Sequence, residues 1–436
     1  MKNTSKNKEI SRGSKARPGD ITSEGLFPVN ARAPRQSRSI ETRGRIAAAA
    51  IRVLADHGLA GLTHRLVAKE AQVSPALTTY HHATKFDIIA ESSNFILLTY
   101  LAGLRRVRDR CLAKPSSAQT LGEFSSRLVA NVALRHRTSA IAWAEIMLDA
   151  ARHEETGALA RDWFAELLSI WSDIARIKGM DDPREEARGA IDLVIGLYFM
   201  TIALGLSEAE VNAVLRDGSN PMLHWRREAP PARAVPKART GKSERTRDQI
   251  VAATIALLVA EGPAAVSFRS VAAAAGLTTS ALRYYFEDIG ALLAAAQVRL
   301  FDDCKARYRA MMQDIGTSDA TEKSTAQLTA AIFIREATEF GKSNLANYTV
   351  WIEASRRPEI RAMIWNSIAD MCAGWNRLLT KLLGRPAPRA ALAAQALFIG
   401  KLVRILASGS RTACLAQVPD EFARDLSLSR LAAFDG

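Results

Sequence analysis

Two stretches decide the fold: Thr63–Lys85 (THRLVAKEAQVSPALTTYHHATK) and Ser267–Ile289 (SFRSVAAAAGLTTSALRYYFEDI). Each reads as a helix, a tight turn and a second helix. They are one pattern written twice at a constant offset of 204 residues, which pairs Gly58 with Gly262, Thr63 with Ser267, Ala71 with Ala275 and Tyr80 with Tyr284. Thr63 and Ser74 are placed to cap the two short helices of the first copy, Ser267 and Thr278 those of the second. Their side-chain oxygens can accept N–H groups left free in a first helical turn. Pro75 falls at a first helical position, where its missing N–H costs nothing. A helix over Ser39–His57 leads in. Its Ile46, Ala50 and Leu54 share one face, and Gly58 stops it. Ile250, Thr254 and Leu258 repeat that face, and Gly262 that stop.

The repeat runs far beyond the small motif. Asp149-Ala150-Ala151-Arg152 matches Glu353-Ala354-Ser355-Arg356, Trp171 matches Trp375, and Ile195-Gly196 matches Ile399-Gly400, all at the same offset. A fixed offset over such a span means a duplicated unit with little net insertion. No strand pattern appears, and abundant alanine with sparse aromatics favours helices. The expected fold class is all-α in two tandem units, each a three-helix head followed by a helical body. The expected division is a disordered basic arm over 1–38, a head over 39–98, a body over 99–225, a Pro-rich basic linker over 226–242, a head over 243–303 and a body over 304–436.

The formal net charge of +14 is unevenly placed. Residues 1–45 carry eleven Lys/Arg against four Asp/Glu, and residues 226–247 carry eight against two. Both segments lead directly into a helix-turn-helix, so they read as phosphate-contacting arms. Cys111, Cys304, Cys372 and Cys414 have no paired spacing, which argues against a zinc site or a disulfide framework and for a reducing compartment. The longest apolar run, Leu193–Leu206, is 14 residues, shorter than the roughly 20 a bilayer requires. The basic N-terminus lacks the apolar core of a secretory signal. The expected site of action is the cytoplasm.

Thr42-Arg43, Ile46, Gly58, Val67-Ala68, Ala71, Val73-Ser74 and Thr78-Thr79-Tyr80, with Thr246-Arg247, Ile250, Gly262, Val271-Ala272, Ala275-Gly276-Leu277, Leu282, Tyr284 and Phe286 in the second copy, resemble the N-terminal module of TetR-family transcriptional regulators. The resemblance implies a three-helix DNA-binding head, a larger body that pairs through a four-helix interface, and two heads in successive major grooves. Family members usually need two chains for this. Here one chain carries both halves, which implies a covalent pseudo-two-fold dimer, with further homo-oligomers open. Glu185–Leu204 and Arg389–Ala407 are the candidate interface helices, because Gly196 and Gly400 would let their backbones approach. Alternatively, each is a buried helix of its own body.

In a helix-turn-helix the second helix enters the major groove and its N-terminal part reaches base edges. That selects Pro75, Ala76, Thr79 and Tyr80 in the first head and Thr279, Ser280, Arg283 and Tyr284 in the second, with Ser74 and Thr278 at their caps. Thr63, Arg65, His81 and Lys85, and Ser267, Arg269, Arg283 and Tyr285, are the candidate phosphate contacts, which set register without reading sequence. The two recognition helices differ, so an asymmetric operator is expected. Each head also departs from the family pattern. Gln72 stands where the turn usually has Gly, His82 where a buried aromatic is usual, and Ile289 where the first head has Lys85.

Trp143, Met147, Trp171, Trp351 and Trp375 could line a pocket for a small-molecule effector, or be ordinary core. Arg152 and Arg356 could hold an acidic ligand or form structural ion pairs. His81 and His82 are adjacent and point to different sides of a helix, poor metal geometry, so neither metal nor cofactor is expected. Two readings from other classes stand beside a DNA-binding regulator: a helical scaffold whose heads bind protein, and an enzyme, for which no nucleophile–base pair or phosphate loop is found.

Overall fold

The computed structural model describes residues 34–114, 121–228, 241–315 and 321–434. Among them every regular element is a helix. The first half comprises α1 (Pro34–Gly61), α2 (His64–Ala71), α3 (Pro75–His81), α4 (Lys85–Ala113), α5 (Leu121–Leu134), α6 (Arg137–Ala150), α7 (Glu154–Ile177), α8 (Pro183–Leu204), α9 (Glu208–Leu215) and α10 (Pro221–His224). The second comprises α11 (Gly241–Ala260), α12 (Phe268–Ala274), α13 (Thr279–Tyr285), α14 (Ile289–Ile315), α15 (Glu322–Thr338), α16 (Gly341–Glu353), α17 (Arg361–Leu383), α18 (Pro388–Ser408), α19 (Thr412–Ala416), α20 (Val418–Asp425) and α21 (Leu428–Ala432). The lead-in helix starts at Pro34, not Ser39, so residues 34–38 of the expected disordered arm are helical. Residues 1–33 of the basic arm and 229–240 of the linker lie outside the described residues. The linker's first residues are anchored: Arg227 donates to the Leu204 carbonyl at 2.7 Å and pairs with Glu210.

The heads fold for the reasons their sequences advertise. Thr63 accepts from the Leu66 N–H, Ser74 from Leu77, Ser267 from Ser270 and Thr278 from Ala281. The lead-in helix of each head breaks at a glycine with positive φ, 66° at Gly58 and 85° at Gly262. Ile46, Ala50 and Leu54, and Ile250, Thr254 and Leu258, are all buried. Arg45 and Gln249, 204 residues apart, each donate to the carbonyl that ends the next helix, Ala71 and Ala275. The turn of the first head is left-handed at Gln72, φ 55°, where the second head has Gly276, φ 64°. A side chain in that conformation costs about 1–2 kcal/mol.

His82 is a second departure with a measurable consequence. It is 3% exposed, takes the place that Phe286 fills in the other head, and neither ring nitrogen has a hydrogen-bond partner. Burial, which outweighs the attraction of Glu91, holds its pKa below the ordinary imidazole value. The unfolded chain therefore takes up a proton near the usual pKa of 6.5 while the folded head does not, so stability falls as pH drops below about 6.5. His82→Phe is expected to raise stability by about 1–3 kcal/mol, the cost of unmet buried polar atoms, and by more at pH 5.5 than at pH 7.5. Urea unfolding of both chains at the two pH values measures this. An equal gain at both would contradict it.

The bodies meet through α8 and α18, which pack along each other, while α16 packs on α8 and α18 on α6. These are the two candidate interface helices. A Cβ built on Gly196 would lie 1.9 Å from the Ala396 carbonyl oxygen, and one on Gly400 only 1.7 Å from that of Asp192. Ala396 and Asp192 are themselves 204 residues apart, so the two helices cross with equivalent glycines over equivalent carbonyls. By length and composition both could cross a membrane, yet 89% of each apolar window is buried inside the protein. The repeat loses its register beyond α18. There α20 takes the place on α15 that α9 takes on α5, six residues later than the offset requires.

The interface is not symmetric in charge. Lys401 is wholly buried between Asp192 at 3.0 Å, Asp425 at 3.2 Å and Glu421. Arg404 grips both Asp192 oxygens, at 2.7 and 2.9 Å, and reaches Glu421. Arg188 of the first half joins Glu185 to Glu421. At the positions equivalent to Lys401, Arg404 and Asp192 the repeat places Leu197, Met200 and Ala396. The same crossing is thus ionic on one side and apolar on the other.

Candidate nucleic-acid interface

Each head displays its third helix outward. The cap Ser74 and, in α3, Pro75, Ala76, Thr79 and Tyr80 are exposed, and so are the cap Thr278 and, in α13, Thr279, Ser280, Arg283 and Tyr284. A large aromatic left in water is unusual for a folded core. Tyr80 is 82% exposed and Tyr284 73%, at equivalent positions. Each stands edge-on to its neighbour, Tyr80 to His81 and Tyr284 to Tyr285, with ring centres 5.2 Å apart. His81 and Tyr285 are half-buried, which steadies the exposed ring beside them. Thr63, Arg65 and Lys85 in the first head and Ser267 and Arg269 in the second are exposed around the same helices.

The two surfaces differ in chemistry. The Arg283 guanidinium lies 4.5 Å over the Phe268 ring, a cation–π contact that aims it from α13 back over α12. Its counterpart is Thr79, whose hydroxyl is engaged with the Pro75 carbonyl at 3.1 Å. Where the first head has Thr84 capping α4 and Lys85 exposed beside it, the second has Asp288 and Ile289. Asp288 accepts from the Ala291 N–H at 2.8 Å and caps α14. The second head therefore loses a cation here, while the carboxylate at the helix start moves from Asp87 to Asp288. The loss of Lys85 was legible in sequence. The Asp288 cap was missed, although an Asp immediately before an apolar helical run was the available signal.

In the bodies, the five pocket candidates are all core or near it. Trp143, Met147, Trp171 and Trp351 are buried, and Trp375 donates its indole N–H to Gln395 at 3.1 Å. In the first body the aromatics fill the space. The Trp143 and Trp163 rings are 5.5 Å apart, Trp163 and Tyr100 5.8 Å, and the Tyr100 hydroxyl meets that of Tyr198 at 3.1 Å. The second body keeps a cavity of about 20 Å³, lined by Cys304, Tyr308, Asn344, Asn347, Trp351 and Gln395 among others. That holds about one water. Asn347 Oδ1 and the Trp351 indole N–H, one turn apart on α16, are buried without hydrogen-bond partners. Asn347 stands where the first body has Trp143, so a short polar side chain borders the cavity where the first body packs an indole. Sequence reading found the tryptophans but not the polar residues among them.

Paired helix-turn-helix heads carried on paired helical bodies define a DNA-binding regulator. Comparison with known proteins agrees. A family described as "Tetracyclin repressor-like, C-terminal domain" matches residues 116–218 and again 320–427, and one described as "Bacterial regulatory proteins, tetR family" matches residues 250–296. The chain belongs to the TetR family of transcriptional regulators, in duplicated form. It is 29% identical over 191 residues to the HTH-type transcriptional regulator BetI of Rhizobium meliloti, covering 40% of this chain and 90% of that one. It is 28% identical over 172 residues to BetI of Agrobacterium fabrum, covering 37% and 79%. Similar solved structures are the multidrug binding protein EbrR complexed with imidazole (22% identity, TM-score 0.35, 41% of this chain and 93% of that one) and with proflavin (28%, 0.29, 40% and 98%).

Proposed function

We propose that this regulator is a repressor that reads an asymmetric operator of two unlike half-sites, both heads coming from one chain paired as an intramolecular pseudo-dimer in the cytoplasm. One observation carries the reading: equivalent helices expose unlike residues, Pro75, Ala76, Thr79 and Tyr80 against Thr279, Ser280, Arg283 and Tyr284. Arginine suits guanine, while threonine and alanine suit the thymine methyl. Half-sites would lie about 34–36 Å apart, one helical turn. Selection of random duplexes by the purified chain tests this. Unlike half-sites at that spacing support it, and a perfect palindrome refutes it.

Release is assigned to a small polar ligand in the second body, with Asn347 accepting and Trp351 donating a hydrogen bond. The cavity holds about one water, so binding must select an expanded minor state, and the ligand shifts the head geometry by its preference for that state. Phosphate contact makes a separate prediction. DNA affinity should fall steeply with salt, and Lys85→Ala should lower the log–log slope by about 1 while weakening all sequences alike. Salt titration by fluorescence anisotropy measures both. An unchanged slope removes Lys85 from the interface, and salt-insensitive binding favours a protein partner instead.

A further inference from the structure

Arg152 and Arg356 sit at equivalent positions, at the end of the sixth helix of each half, and each reaches into the other half. Arg356, in the second body, donates to the Ala55 and Leu54 carbonyls of α1 in the first head, at 2.9 and 3.0 Å. Arg152, in the first body, donates to the Leu258 carbonyl of α11 in the second head, at 3.4 Å. Leu54 and Leu258 are 204 residues apart, so the two contacts are the same contact made twice. A cation on the last carbonyls of a helix is favourably placed, and these carbonyls lie just before the Gly58 and Gly262 breaks.

The two copies differ in strength. Arg356 is 13% exposed and pairs with Glu145 of the first body at 2.6 Å and with Glu353 at 2.7 Å. The other Glu145 oxygen accepts the Leu59 N–H at 3.4 Å, just past the Gly58 break. The exit of α1 is therefore held from both bodies at once. At the position equivalent to Glu145 the second body has Thr349, whose hydroxyl takes Arg152 at 3.3 Å. The Arg152 Nε is buried without a partner.

We infer that the heads are positioned in trans: Arg356, held by its buried ion pairs with Glu145 and Glu353, fixes the first head to the second body through the Ala55 and Leu54 carbonyls, and Arg152 fixes the second head to the first body more loosely. Both are positioning residues, since they touch the lead-in helix and not the groove-facing surface. The arrangement also gives the second body a line to the first head. Asn347 and Trp351 line its cavity on α16, and that helix ends at Glu353, which holds Arg356. This last step rests on the ligand-released reading above, whereas the trans contacts do not.

Hydrogen exchange on the full chain, without DNA or ligand, is the test. Arg356→Gln should speed exchange about tenfold in peptides from Ile46–Leu59, the loss expected for charged hydrogen bonds, and leave Ile250–Gly262 unchanged. Arg152→Gln should speed exchange only in the second head and by less, and Thr349→Glu, which supplies the missing carboxylate, should slow it there. Changes confined to the head of the substituted half, or equal in both heads, overturn the proposal, as does no effect from any of the three. A second readout separates positioning from general stability. On duplexes selected by the wild-type chain, Arg356→Gln should weaken binding to the two-half-site DNA about tenfold with an unchanged salt slope, and binding to a single half-site less than twofold. Equal losses on both duplexes would reduce the residue to a structural one. Should selection recover no site at all, the repressor reading fails and the exchange result still decides this one.

Discussion

Gly400→Ala is expected to destabilise the chain by about 3 kcal/mol or more, the upper end of overpacking, although helix propensity predicts the opposite sign. Alanine in place of glycine inside a helix normally stabilises by about 1 kcal/mol. Here the added methyl carbon would sit 1.7 Å from the Asp192 carbonyl oxygen, with the Gly196 nitrogen 2.9 Å away. Both are backbone atoms of a buried helix, so no side chain can swing aside and α8 must move away from α18. Gly196→Ala meets the Ala396 carbonyl at 1.9 Å and should behave alike. Two internal controls isolate the steric effect. Gly103 in α4 and Gly374 in α17 have nothing nearer than an arginine tip at 3.9 Å, and Gly103→Ala and Gly374→Ala should be neutral or mildly stabilising. Urea midpoints of the four variants measure the contrast. If all four moved together, the close crossing of α8 and α18 would be refuted. Because this crossing joins the bodies that carry the heads, Gly400→Ala should also weaken DNA that needs both heads more than DNA that needs one.

The repeat made most of this architecture legible. Short-range rules located the caps at Thr63, Ser74, Ser267 and Thr278, the glycine stops and the buried faces, because each is decided within one or two helical turns. Gly196 and Gly400, set in the most apolar stretches, pointed to close helix packing. What stayed hidden was settled between the halves. No local pattern says that Lys401, within an apolar run, is buried rather than turned to water, since its partners come from two other helices, Asp192 from α8 and Glu421 and Asp425 from α20. Arg152 and Arg356 were visible as a matched pair, but their reach across the molecule was not. The polar lining of the second cavity was masked by its spacing, which matches that of an ordinary core face. Equal offsets say where two copies agree, and the functional asymmetry lies where they differ: Glu145 against Thr349, Asn347 against Trp143, Asp288 against Thr84.

Lys401→Leu, which installs the residue that the first half carries at Leu197, should cost about 3–5 kcal/mol despite adding apolar surface at the interface. Removing one partner of a buried ionic cluster leaves uncompensated charge, and that penalty outweighs the hydrophobic gain. Burial alone would depress the Lys401 amine, but Asp192, Asp425 and Glu421 raise it above its ordinary value. Burial works against Asp192 as well, yet Arg404 and Lys401 hold it below the usual carboxylate range. Asp425 is the weak member: burial pushes it up to about 6, and its Oδ2 meets the Lys401 amine at 3.2 Å as an ion pair without hydrogen-bond geometry. Without Lys401 the cluster keeps only Arg404 and the flanking arginines, so Asp425 rises further and Asp192 loses one of the two cations that hold it down. Folded carboxyls that titrate above their unfolded values bind extra protons as pH falls, so acidification stabilises the folded variant relative to its unfolded chain. The deficit of Lys401→Leu should accordingly shrink between pH 7 and pH 5. Asp425→Asn added to Lys401→Leu should recover about 0.5–3 kcal/mol of it, the usual coupling between neighbours in one network. Denaturant unfolding of the two single variants and the double variant at both pH values completes the cycle. A deficit that grows on acidification, or strict additivity of the two changes, would show that the amine does not neutralise this cluster.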